Sequence, residues 1–103
     1  MYKLCVYIPQ THLEQVKQAL FSAGAGVQGN YSDCCWQTLG TGQFKALEGS
    51  SPYLGQQNKT EYVNEYRLEM LVSNDCLKQV VSALRLAHPY EEPAFDLVQL
   101  ADV

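Results

Sequence analysis

Glu61-Tyr62-Val63-Asn64-Glu65-Tyr66-Arg67-Leu68-Glu69-Met70-Leu71-Val72 carries the clearest alternation in the chain. Tyr62, Tyr66, Leu68, Met70 and Val72 fall on one side, and Glu65, Arg67 and Glu69 on the other. Side chains of a strand point alternately to its two faces. The pattern therefore predicts an antiparallel strand with one buried and one polar face. The buried face needs a second layer packed on it, and the flanking segments supply one.

Downstream, Ser73 or Asn74 is suited to cap a helix, and Leu77, Val80, Val81, Leu84 and His88 recur at helical spacing. The helix is predicted over 75–87, and the last place in its apolar stripe is a histidine. That residue opens the run His88-Pro89-Tyr90-Glu91-Glu92-Pro93, which packs an imidazole, a phenol and two carboxylates between prolines. Proline fixes its own φ and pushes the residue before it towards extended geometry, so the run is a stiff corner. Residues 94–100, with Phe95, Leu97 and Val98, read as a closing strand.

Upstream, residues 47–60 are rich in Gly, Ser, Pro and Asn and read as a long loop, a feature often functional or disordered in a compact domain. Residues 36–46 read as a strand interrupted by Gly40 and Gly42, where a bulge or a close backbone approach is expected. Further back, Leu13, Val16, Leu20 and Ala23 mark a helix over 11–23. Thr11 and Glu14 have capping-box spacing, and Gly24 stands just past the end. Gly24-Ala25-Gly26-Val27-Gln28-Gly29 spells GxGxxG, but a helix precedes it, so the dinucleotide fingerprint lacks its required context. Residues 2–8 form a first strand, with Leu4, Val6 and Ile8 on one face and Lys3, Cys5 and Tyr7 on the other.

The order β-α-β-β-α-β predicts an α+β, ferredoxin-like sandwich with an antiparallel sheet, as a single domain over 1–103. Both helices are expected on one sheet face. The other face would then carry Cys5, Tyr7, Val63, Leu71 and Val98 among charges, a surface suited to an interface. Only 17% of residues are charged, which also favours self-association. The net charge is -4, and Lys3, Lys17, Lys45, Lys59, Arg67, Lys78 and Arg85 are scattered along the chain. That excludes a basic patch for nucleic acid or an anionic membrane. No span has transmembrane length, and no export signal is recognised. Cys5, Cys34, Cys35 and Cys76 form no CxxC pair and are expected as free thiols in the cytoplasm.

Three chemistries compete. His88, Glu91, Glu92 and Cys34 offer nitrogen, oxygen and sulfur donors compatible with a divalent transition metal, the one cofactor the residues point to. Alternatively, His88 is a structural imidazole held by a carboxylate or a carbonyl at the helix end. Gly26, Gly29, Tyr31, Trp36, Gly42, Phe44 and Tyr90 would suit a small-molecule cleft, or else fill core and interface. Cys34 with His88 is the residue pair for a nucleophile and base, but no oxyanion site accompanies it.

Several short motifs taken together resemble one family. Gly26-x-x-Gly29-x-Tyr31-x-x-Cys34, Gly40-x-Gly42-x-Phe44, Glu48-Gly49, Pro52, Gly55, Val63-x-Glu65 and His88-Pro89-Tyr90-Glu91-Glu92-Pro93-Ala94 look like the YqfO-type domain of the Nif-three-like family. Cys35 departs from that pattern, which usually has Ser or Thr there, so the resemblance implies no role for it. In larger members this domain is inserted into a dimetal-binding domain, whose histidines and acids the present sequence lacks. The resemblance implies a PII- and CutA-like fold, a trimer, and a partner-binding role for the loop at 47–60. It carries over no hydrolase activity. The expectation is an oligomeric binding or regulatory module, not an enzyme by itself, taking a small molecule or a protein through that loop. The alternative is a divalent-metal-binding protein built on the His88 corner.

Overall fold

A computed structural model describes all residues, Met1–Val103. It has four strands, β1 (Tyr2–Pro9), β2 (Trp36–Lys45), β3 (Thr60–Val72) and β4 (Phe95–Gln99), and two helices, α1 (Leu13–Ser22) and α2 (Leu77–Ala87). They follow one another as β-α-β-β-α-β and form one sheet in the order β2-β3-β1-β4, with every neighbouring pair antiparallel. The expected fold class and element order hold.

The core lies between one sheet face and the two helices. Leu4, Val6 and Ile8 of β1 meet Leu68, Met70 and Val72 of β3, covered by Leu13, Val16 and Leu20 of α1 and Val80 and Leu84 of α2. Register explains the match, because Leu4 stands opposite Met70 and Val6 opposite Leu68. Residues directly opposite share a face, so the two alternating strands stack their apolar sets together.

Both helices begin differently from the sequence reading. Each is entered through a short 3-10 turn, Gln10–His12 and Asn74–Cys76, and neither start has a side-chain cap. The Leu13 amide donates to the Gln10 carbonyl, so the turn itself satisfies a donor that Thr11 was expected to satisfy. Thr11 Oγ1 instead bonds His12 Nδ1 at 2.9 Å, and Glu14 pairs with Lys17 at 2.8 Å. Asn74 accepts from the N-terminal ammonium.

The end of α1 is as expected. Gly24 has a φ of +110°, its amide donates to Phe21 O at 3.0 Å, and Ala25 N donates to Leu20 O at 3.1 Å. These two bonds close the helix in a Schellman motif, with Ala25 and Leu20 both buried.

Two further expectations are corrected. No bulge interrupts β2 at Gly40 or Gly42, because Trp36 through Lys45 pair one-to-one with Glu69 through Thr60. Gly42 is needed for a side chain rather than for the backbone, since the Glu65 carboxylate occupies the space a Cβ would take. Tyr62 is 67% exposed rather than buried. β1 stops at Pro9, opposite Glu65, so the far end of the β2–β3 hairpin runs past β1 and loses that neighbour. The molecule is accordingly elongated, about 46 × 24 × 24 Å.

The second sheet face has no helix on it. It presents Tyr7, Trp36, Val98 and Leu71 beside an ion-pair ladder, in which Glu69 meets Lys3 at 3.1 Å and Arg67 at 3.4 Å. The Lys3 ammonium chiefly holds the Glu69 carboxyl below its ordinary range, with Arg67 adding to it against desolvation. No helix is long and apolar enough to cross a membrane.

Candidate functional site

The site is built where β1 gives out. His88, just past α2, is 5% exposed, with an extended backbone that ends the helix before Pro89. Its imidazole is held at both nitrogens. The Tyr90 amide donates to Nδ1 at 3.1 Å, and Nε2 lies 2.7 Å from the Tyr7 carbonyl oxygen. An amide can only donate and a carbonyl can only accept. The ring is therefore the neutral tautomer protonated on Nε2. Burial lowers the proton affinity of His88 below the ordinary imidazole value, and nearby His12 adds to this. The Tyr7 carbonyl and Glu65 oppose it.

This anchored ring turns the corner onto the open sheet face. Tyr90 lies against it, with centroids 4.9 Å apart, and its hydroxyl donates to Glu65 Oε2 at 2.7 Å. Burial and the Glu65 bond push the Tyr90 phenol well above its usual pKa. One polar chain thus runs from the β1 backbone through His88 and Tyr90 to Glu65, whose carboxylate rests over Gly42.

The loop between β2 and β3 folds back over this corner. Ser51 N donates to Glu91 Oε1 at 2.9 Å, and Tyr53 packs edge-on against His12 at 5.3 Å. Within the loop, Asn58 N bonds Ala46 O at 2.5 Å and Gln57 Nε2 bonds Ser50 O at 2.9 Å. Gly49 and Gly55 take positive φ, as tight reversals require. The loop is folded back on the corner as a flap.

Between flap, hairpin and corner lies a cleft of about 670 Å³. Phe44, Tyr53 and Tyr90 form its aromatic wall, with both Phe44 and Tyr53 centred 6.3 Å from Tyr90. Glu65, Glu91, Glu92 and Lys45 supply its charges. The size and the mixture of apolar wall and few polar groups suit a small-molecule site.

The residues singled out from sequence divide between two places. Gly42, Phe44 and Tyr90 line this cleft, together with Glu91 and Glu92. Gly26, Trp36 and Cys34 line a smaller depression of about 290 Å³ at the start of β2, beside Lys3 and Glu69. Tyr31 is 75% exposed and lines neither, and a Cβ added at Gly29 would meet nothing within 4 Å. The four donors named for a metal are not brought together. Both His88 nitrogens are occupied, and no group of three or more His, Cys, Asp or Glu side chains is placed to hold an ion. Cys34 has no histidine among the residues of its depression, and its thiol makes only a 3.6 Å contact to Ser32 O. All four cysteines are free thiols.

The sequence reading missed Glu65 and Tyr53. In the sequence, Glu65 reads as one of three charges on a polar strand face. The signal was its diagonal relation to Gly42 across the hairpin, which register alone reveals. Tyr53 lay inside a loop whose path no periodicity describes.

Comparison with known proteins places the chain among relatives. No protein-family model matches it. It is 48% identical over 102 residues to a protein of Halalkalibacterium halodurans called GTP cyclohydrolase 1 type 2 homolog. A Mycobacterium tuberculosis protein of the same name is 46% identical over 98 residues. These matches cover 99% and 95% of the chain but only 27% and 26% of the relatives, so the chain spans about a quarter of their length. Among solved structures, a Bacillus cereus protein related to NIF3 superposes with a TM-score of 0.83 at 40% identity, over 98% of this chain and 26% of that one. The periplasmic divalent cation tolerance protein CutA of Archaeoglobus fulgidus shares the fold, with a TM-score of 0.68 at 13% identity over 100% and 87% of the two chains.

Proposed function

As a homologue of the YqfO-type segment of NIF3-like proteins, this chain, we propose, is a small binding module whose ligand site is the cleft under the His88–Pro93 corner. One observation carries the reading. Four segments far apart in sequence, Tyr7 of β1, the hairpin-and-flap run 41–53, Glu65 of β3 and the corner at 90–94, converge on one aromatic-walled cleft. The polar groups around it are held in advance by Tyr90–Glu65 and Ser51–Glu91 hydrogen bonds. Fixed polar groups and a preformed apolar wall lower the ordering cost of binding. We assign the chain no reaction, and the activity named for relatives about four times its length is not carried over to it. The Cys34 depression is the weaker site, being less than half the volume.

The module is proposed to work as an assembly of identical copies. Trp36 and Val98 are at least half exposed on the helix-free face, and β2 is an edge strand whose only charged residue is Lys45. An edge with so few charges is open to pairing with another chain.

The test of the site is a fragment screen by thermal shift that includes cations, anions and neutral compounds. Fragments that raise the unfolding midpoint of the wild type should lose that effect in Phe44→Ala and keep it in Trp36→Ala. The opposite selectivity would move the site to the depressions beside Trp36.

A further inference from the structure

We propose that the cleft takes an organic cation, a protonated amine or guanidinium carried on a flat or apolar body; this rests on reading the cleft as the ligand site. The charge in the cleft is unbalanced. Three carboxylates, Glu65, Glu91 and Glu92, face one ammonium, Lys45. None of the three is neutralised from within the chain. The ion pairs in the structure are Lys3–Glu69, Lys17–Glu14, Lys59–Glu61 and Arg67–Glu69, and none involves a carboxylate of the cleft.

Two of the carboxylates are fixed by neutral donors rather than by ion pairs. Tyr90 Oη fixes one oxygen of Glu65 and Ser51 N fixes one oxygen of Glu91, and each carboxylate keeps a second oxygen. Gly42 leaves the room in which Glu65 lies. A carboxylate accepts only, so the free oxygens call for a donor, and a cationic one makes the stronger bond. Phe44, Tyr53 and Tyr90 add ring faces of negative potential, which attract a cation and cover an apolar body.

The same features discriminate against other classes. A phosphorylated or carboxylated ligand would meet three like charges and one cation. A bare metal ion would find no group of three donors close enough to coordinate it. An organic cation can bond one or two carboxylates while its body rests on the rings, and the volume is that of a ligand rather than an ion.

The experiment is calorimetric titration with three matched probes: 2-phenylethylammonium, neutral 2-phenylethanol and anionic 3-phenylpropanoate. The ammonium should bind at least about tenfold more tightly than either of the others. Raising the ionic strength should weaken it. Glu92→Gln and Glu91→Gln, the latter keeping an oxygen acceptor for Ser51, should each weaken the ammonium and leave the alcohol unchanged. If alcohol and ammonium bind alike and both are lost in Phe44→Ala, the cleft stands as a site and the cation class is overturned. No binding of the ammonium at millimolar concentration also overturns the cation class, while the fragment screen judges the cleft separately. Ammonium binding that survives Phe44→Ala and both glutamine variants overturns the two readings together.

Discussion

His88 joins the fold to the cleft. Its Nε2 proton serves the Tyr7 carbonyl and its Nδ1 lone pair serves the Tyr90 amide, so protonation would set a second N–H against an amide N–H. The folded state therefore resists charging the ring, as burial alone also requires. The unfolded imidazole binds a proton near pH 6.5, and the folded one only at lower pH. The unfolded state then holds more protons across that window. Stability is fully present above about pH 6.5 and falls as pH drops through it. In denaturant titrations from pH 8 to 5, His88→Asn should lack this decline and His12→Asn should retain it. His88→Ala should cost about 1–3 kcal/mol at neutral pH, as for a lost buried hydrogen bond. Zinc or copper should shift the thermal midpoints of the wild type and His88→Ala by the same amount, because neither ring nitrogen of His88 has a free lone pair. At Gly42, an added methyl meets the Glu65 carboxylate. Gly42→Ala should therefore displace Glu65 from Tyr90, and ultraviolet titration should show the latest-ionising tyrosine shifting to lower pH. That His88 ends an apolar stripe was legible in the sequence, and so was the need for a partner. The partners were not, because Tyr7 is 81 residues away and contributes a backbone carbonyl, which any residue type could supply.

At the scale of elements, the strands and helices follow from two periodicities, and the Schellman end of α1 follows from Gly24. The helix starts did not follow. Thr11 and Glu14 have the right spacing, yet a 3-10 turn uses the backbone for the same purpose, and spacing cannot tell the two apart. The flap also escaped prediction, since its fold depends on Glu91 and His12, which lie in other segments. Its ties make it testable. Limited proteolysis should cut the wild type slowly within 47–59, and Glu91→Ala or Tyr53→Ala should speed that cleavage while leaving the midpoint of unfolding nearly unchanged. Equal cleavage rates would mean that these contacts do not hold the flap. Leu84→Ala, by contrast, empties a wholly buried position between α2 and the sheet and should cost about 2–5 kcal/mol.

At the scale of the molecule, one sheet face is covered by helices, and the other carries only the flap and the corner at one end. Light scattering at micromolar concentration should give a multiple of 11.6 kDa. Trp36→Glu should shift the mass towards that of one copy. A wild-type mass near 11.6 kDa would leave the open face without a partner of its own kind. The cleft itself is tested most directly by amide NMR, with 15N-labelled protein titrated with the fragments that raise its midpoint. Phe44, Tyr53, Tyr90 and Glu91 should move together and saturate at one concentration, with Gly26, Cys34 and Trp36 still. Shifts confined to Gly26–Trp36, or spread over the open face with the corner unmoved, would contradict a ligand site under His88.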